Sequence, residues 1–223
     1  MEELKPEYYF ENMDIFPLKN LFKVINVWDA LKKKEIFLDD IDNEINGTAD
    51  EQSLIKGNVF IGSGSIVEYG TAIKGPAYIG KNCMIGPQAY IRPGTVICDN
   101  AQIGRAEVKG SIIFPGVKAH HVSYIGDSII GSNVNIAVGV QTLNVRHDNK
   151  SIIIFSGSER HQTGLKKFGA VIGDKCKIGG NCVLNPGTLI GKNCWTYPNL
   201  LLKGFYPSDR IVKSTFNVVR MER

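Results

Sequence analysis

No run of apolar residues approaches the roughly 20 that a membrane-spanning helix needs. The opening residues, MEELKPEYYF, lack the basic and apolar stretches of a secretory signal. A cytoplasmic location and no membrane partner are therefore expected. Cysteine is sparse, five in 223 residues, and no two are spaced CxxC, which argues against a zinc site or a redox pair. Histidine occurs only at 120, 121, 147 and 161, a poor supply for a multi-histidine centre, so no metal is expected. There is no basic run interleaved with aromatics and no recognised reader motif, which argues against nucleic acid.

What is present is a repeat. Ile55, Ile61, Val67, Ile73, Ile79, Ile85, Ile91, Ile97 and Ile103 stand six residues apart without a miss. That period fits neither a helix nor an ordinary strand. It fits a parallel β-helix in which each hexapeptide forms one flat side of a coil and the marked aliphatic points inward. Gly62, Gly80, Gly86 and Gly104 follow inward residues, and Asn82 and Asn100 suit corners that need positive φ. Cys83, Cys176, Cys182 and Cys194 each lie four residues after an inward aliphatic, where a buried thiol acts as a small hydrophobe.

Residues 1–50 lack this period. Leu21, Val24, Ile25, Trp28 and Leu31 follow Asn20 at helical spacing, with Lys32, Lys33 and Lys34 suited to the helix C-terminus. The spacing predicts a helix that caps the open end of the first coil, followed by an acidic linker. The domain reading is thus a helical cap and linker over 1–54 and a β-helix over 55–223. The repeat slips after Ile103, where the next in-phase residue is Lys109, and resumes through Ile113, Ala119, Ile125, Ile130 and Ile136. Residues 143–170 leave it and read as a loop insertion. It returns at Ile172, Ile178, Leu184 and Ile190, and the tail after Cys194 is expected to pack along the coils and close them.

The formal charge of +4 hides an asymmetry. Residues 1–50 hold six lysines against twelve acids, a net of −6, so the remainder carries +10. A basic repeat domain suits an anionic small molecule such as a sugar phosphate or coenzyme A. Arg92, Glu107, Lys109, His120, His121, Tyr124, Asn135 and Asn144 cluster around the slip in the repeat, where stacked coils bring distant residues together. An imidazole suits proton abstraction near neutral pH, and Arg92 and Lys109 suit a phosphate.

The segments GPAYIGKNCMIGPQAYIRPGTV, AEVKGSII, AHHVSYIGDSIIGSNVNI and TLN, within residues 75–144, resemble a known family. It is the acetyltransferase domain of the bifunctional N-acetylglucosamine-1-phosphate uridylyltransferase/glucosamine-1-phosphate acetyltransferases. NVRHDNK and TGLKKFGAVIGD are similar to archaeal-type sugar-1-phosphate nucleotidylyltransferases with an acetyltransferase tail. The resemblance implies an all-β, left-handed β-helix, against the usual right-handed crossover, assembled as a homotrimer with sites between subunits. It implies acetyl-CoA as co-substrate and an amino-sugar phosphate as acceptor. His121 aligns with the catalytic base, and Arg92, Lys109 and Tyr124 with sugar-phosphate-binding residues. Asn135 and Asn144 align with residues that hold the acceptor or orient the site, and Lys150 with a lysine some archaeal members use.

The family's Gly-Ala-Gly near the acetyl group reads Ala137-Val138-Gly139 here, and Val145 replaces a tyrosine. No Gly-rich nucleotide loop is found near the N-terminus, so uridylyl transfer is not expected of this chain, and a separate nucleotidylyltransferase is a candidate partner. Two other readings stand beside the acetyltransferase. One is a non-catalytic sugar-phosphate-binding or assembly module, favoured by Ala137-Val138. The other is a hexapeptide carbonic anhydrase, for which the histidines are poorly spaced.

Overall fold

A computed structural model describes residues 1–156 and 159–214. The chain winds into a left-handed parallel β-helix of triangular section. Each coil contributes a short strand to three parallel sheets in turn. Face I starts at Thr48–Ala49 and has nine strands. Face II starts at Leu54–Lys56 and face III at Val59–Ile61, with eight strands each.

The hexapeptide aliphatics are the core. Ile61, Ile79 and Ile97 on face III, Ile85 on face I and Ile73 and Ile91 on face II are fully buried. They belong to one continuous apolar column. All five cysteines are free and buried, four of them within the column. The corners bear out the Asn reading: Asn82 and Asn100 have φ of 52° and 61°, as do their counterparts Asn133, Asn181, Asn193 and Asn199 near 56–59°. Gly62 and Gly104 serve instead for closeness, since a Cβ on either would meet the backbone of the next coil.

The slip at Lys109 has a simple structural solution. Val108 takes the inward position, fully buried, and Lys109 moves to the following corner. Ile61 pairs with Ile79 and Ile79 with Ile97, eighteen residues apart. Ile91 pairs with Val108, which pairs with Ile125, at seventeen. The first residue is lost at the I/II corner between Ile103 and Val108, and the II/III corners from Val108 to Ile113 and from Ile125 to Ile130 are likewise one residue short. Ser111, Ser128 and Thr142 line them inside, all fully buried. The hydroxyl of Ser111 accepts the Ser128 amide at 3.0 Å, that of Ser128 accepts the Ala170 amide at 3.0 Å, and that of Thr142 accepts the Gly126 amide at 2.9 Å. Hydroxyls thus satisfy buried N–H groups that tight corners turn out of the ladder.

The N-terminal segment differs from the expected single helix capping one coil. It forms helices Pro6–Tyr9, Leu18–Leu21 and Ala30–Asp39. The β-branched run around Val24-Ile25 disfavours helix, and straight-chain residues restart it after Asp29. Lys32–Lys34 therefore lie in the first half of the last helix, not at its end. The segment runs along the flank of face III rather than across an end. At the far coil the Ser208 amide donates to the Tyr8 hydroxyl at 3.2 Å, and Asp174 receives the Glu11 amide at 2.8 Å. Phe10 stacks on Phe114 with centroids 4.4 Å apart. At the first coil, the Val59 amide donates to Asn43 at 3.1 Å. The outward residues Tyr78, Val96, Ile112, Ile129, Val171 and Leu189 of face III form a second core with this strap.

Pairing begins earlier than Ile55, with Thr48 opposite Ile66 and Ile45 bridging Ile61. The excursion after residue 143 contains an antiparallel hairpin, Ile153–Ser156 with Glu159–Gln162. Buried Ile152, Ile154 and Phe168 dock the excursion onto the second core. The segment after Cys194 supplies a further coil through Trp195–Thr196, Leu201–Leu202, Phe205–Tyr206 and Ile211–Val212. The closing role expected of residues 215–223 lies outside the described residues.

Candidate functional site

The II/III edge gathers four of the expected site residues. Arg92 leaves its strand at this edge, and its Nη1 reaches back over face II to Glu107 Oε1 at 2.7 Å. One coil on, Lys109 Nζ pairs with Asp127 Oδ2 at 2.7 Å, both side chains less than one-fifth exposed. The Asn144 side-chain amide donates to the same oxygen of Asp127. Tyr124 stands directly opposite Glu107 on face II. Its ring folds along the strand over Gly126, where any side chain would collide with it, so the phenol points toward Asp127 and Asn144. Burial, then the carboxylates of Asp127 and Glu107, push the Tyr124 phenol above its ordinary pKa, against the opposing pull of Arg92 and Asn144. The group stays a neutral donor at physiological pH.

The local sequence builds this geometry. The shortened coils stack Lys109 on Arg92 and Asp127 over Gly110 at this edge. Gly94 and Gly110 lie in close contact there, a Cβ on the former coming within 3.5 Å of the latter. Gly110 adopts φ of 59° and leaves room for the Asp127 carboxylate. The result is a set of donors and paired charges able to receive an anion.

His121 lies at the other end of face II, in the exposed turn between Ala119 and Ser123. Its ring stands edge-on to that of His120, centroids 6.5 Å apart. Tyr124 is three positions further along the chain, about 10 Å of extended backbone. Ala137-Val138-Gly139 forms the same I/II corner one coil later, where the Gly139 amide donates to the Val122 carbonyl at 2.7 Å. Val138 is half exposed. Asn135 is not with the other polar residues: it projects from face I, between Lys118 and Lys177. Lys150 is exposed in the excursion, beside a turn where Asp148 grips Arg146 through two bonds of 2.7–2.8 Å. Among the described residues no group of three His, Cys, Asp or Glu stands close enough to hold a metal. No helix among them is long and apolar enough to cross a membrane.

Asp127 and Lys34 were not among the candidate site residues, Lys34 having been assigned to a helix end. Asp127 sits at a corner with φ of 44°, a position Asn fills elsewhere. Lys34 was masked by its place in a lysine run.

Coils of this kind with hydroxyl-lined, shortened corners define a hexapeptide-repeat β-helix protein, and sequence comparison agrees. Residues 73–154 match the GMPPB C-terminal domain, and residues 169–195 match the hexapeptide repeat of succinyl-transferase. The chain is 41% identical over 186 residues to the bifunctional protein GlmU of Methanocaldococcus jannaschii, covering 83% of this chain and 45% of that protein. It is 36% identical over 177 residues to a bifunctional sugar-1-phosphate nucleotidylyltransferase/acetyltransferase of Sulfurisphaera tokodaii, covering 78% and 44%. The chain thus spans less than half the length of the curated relatives it matches. Among solved structures, a perosamine N-acetyltransferase from Caulobacter crescentus, in complex with CoA and GDP-perosamine, aligns with 76% of this chain and 54% of its own at 10% identity and a TM-score of 0.32.

Proposed function

We propose that this protein is an acyltransferase that moves acetyl from acetyl-CoA to the amine of an amino-sugar phosphate. The observation that carries the reading is the polarity of face II. A paired, donor-rich cluster of Arg92, Lys109, Tyr124 and Asn144 stands at one edge, and an exposed imidazole at the other. In this reading the sugar phosphate lies across the face with its phosphate on Arg92 and Lys109. Tyr124 and Asn144 orient the ring. His121 takes the proton from the amine as nitrogen attacks the thioester carbonyl, and coenzyme A leaves as the thiol. The coenzyme runs along the I/II corner past Ala137, Val138 and Gly139. Asn135 on face I and Lys150 in the excursion would complete the site from neighbouring subunits of a homotrimer. Five free thiols and a coenzyme A donor fit a cytoplasmic setting. A separate nucleotidylyltransferase would use the product.

Acetyl transfer measured across amino sugars and their 1-phosphates tests the reading. General-base catalysis contributes about 10²–10⁴-fold, so His121→Ala is expected to lose at least about a hundredfold in kcat while substrate binding persists. Unchanged turnover removes His121 from the role. The exposed Val138 at the corner favours a second reading, a sugar-phosphate-binding module without acetyl transfer. Calorimetry decides between them, because a module binds the sugar phosphate and leaves acetyl-CoA unbound.

A further inference from the structure

Of the three consecutive lysines 32–34 only Lys34 is buried, at 4% exposure. Lys32 reaches the Thr163 carbonyl at 3.4 Å and Lys33 the Lys23 carbonyl at 2.8 Å. The Lys34 ammonium enters the II/III edge where the helix Ala30–Asp39 meets it, 3.7 Å from the point a Cβ on Gly94 would occupy. Gly94 follows Arg92 by two residues and stacks on Gly110, over which the Asp127 carboxylate lies. The acceptor Lys34 reaches among the described residues is the Leu31 carbonyl of its own helix, at 3.2 Å. Burial lowers its ammonium pKa most, while Glu35 and Asp127 raise it and Lys109 lowers it further. A long side chain normally takes its charge out to water, and a buried charge short of acceptors is costly.

Charge balance says what this cost serves. Arg92 is matched by Glu107 and Lys109 by Asp127, so those four groups are neutral together and offer a phosphate dianion no net attraction. Lys34 adds a further positive charge at this edge, partly offset by the exposed Glu35 of its own helix. We propose that Lys34 is a third cationic residue for the acceptor phosphate, supplied by the N-terminal strap, and that it selects phosphorylated over free amino sugar. This inference rests on the amino-sugar-phosphate reading above.

Lys34→Met removes the charge and keeps most of the stem; Lys34→Arg keeps the charge. With a hexosamine 1-phosphate as acceptor, Lys34→Met is expected to raise KM about tenfold, the loss of one charge-assisted contact. Its kcat, and its constants for the unphosphorylated hexosamine, stay within about twofold, and Lys34→Arg recovers part of the loss. Equal loss on both acceptors, or none on either, overturns the proposal. Calorimetry with inorganic phosphate separates it from the acetyl-transfer reading. Phosphate binding that weakens in Lys34→Met supports the proposal even where no amino sugar is acetylated, an outcome that removes the transferase reading alone. Phosphate binding that is absent in the wild type, or unaltered in Lys34→Met, overturns the proposal even where acetylation proceeds. A lowered melting midpoint with unaltered phosphate binding assigns Lys34 a purely structural role and overturns it equally.

Discussion

Asp127 holds the site's central position without being one of its cations. One oxygen takes both the Lys109 ammonium and the Asn144 amide, and the carboxylate lies over Gly110. An arriving phosphate must compete with it for Lys109. Replacing the carboxylate by its neutral isostere in Asp127→Asn removes a like charge near the ligand. At an effective dielectric near 20 with screening, that repulsion is about 1 kcal/mol. Asp127→Asn is therefore expected to bind inorganic phosphate about fivefold more tightly by calorimetry, and weaker binding would mean that Asp127 chiefly positions Lys109. Residues like this mark where reading the sequence stops. The inward aliphatics and corner asparagines were legible because each is repeated and its slot has one physical demand. Lys109 was ambiguous because its in-phase position pointed to the core, and only the pairing of Ile91 with Val108 moves it to the corner. Asp127 and Lys34 are unrepeated, and what they do depends on neighbours one coil or many residues away.

The elements tell the same story in larger units. The coil strands follow from their period, whereas the strap and the hairpin follow from tertiary contacts that no local pattern encodes. Leu21 to Leu31 showed helical spacing, but the surface that the N-terminal segment covers is the outer row of face III. That row was legible only in retrospect: Tyr78, Val96, Ile112, Ile129, Val171 and Leu189 are apolar at positions that would otherwise face water. Likewise the hairpin after residue 143 looked like a polar loop, and Ile152 and Ile154 bind it to the same second core. Phe10 is the anchor of the strap. It is 2% exposed, stacks on Phe114 and meets Phe22 with centroids 5.3 Å apart. Phe10→Ala is expected to cost about 3–5 kcal/mol of stability, read as a lower denaturation midpoint in urea. Because the strap carries Lys34, the same variant should weaken phosphate binding, whereas an equally destabilising change inside the far coils should not.

At the scale of the molecule, the strap decides which surfaces are free to assemble. Face III is covered along much of its length, while faces I and II stay open and face I keeps two short exposed apolar rows. One is Ile66 with Met84 and the other Trp195 with Ile211, each residue more than two-fifths exposed, with Gln102, Lys118, Asn135 and Lys177 between the two; on face II the exposed Leu54 and Leu201 stand apart on the first and last strands. Rows of that kind on a regular prism mark contact surfaces, and the edge between these two faces is the one that carries His121 and the Ala137-Val138-Gly139 corner. Three chains packed about an axis through that edge would bury the rows and enclose the imidazole between neighbours. They would also bring Asn135, stranded on face I in one chain, toward face II of the next. Sedimentation equilibrium is expected to return three times the chain mass of 24.6 kDa. A charge placed in the row, as in Met84→Glu together with Ile66→Glu, should give folded monomers with the coil core intact. Those monomers should retain phosphate binding, since Arg92, Lys109 and Lys34 meet within one chain, and lose acetyl transfer, since His121 would then face only water. Monomers that still transfer acetyl at the wild-type rate would place the whole reaction on a single prism.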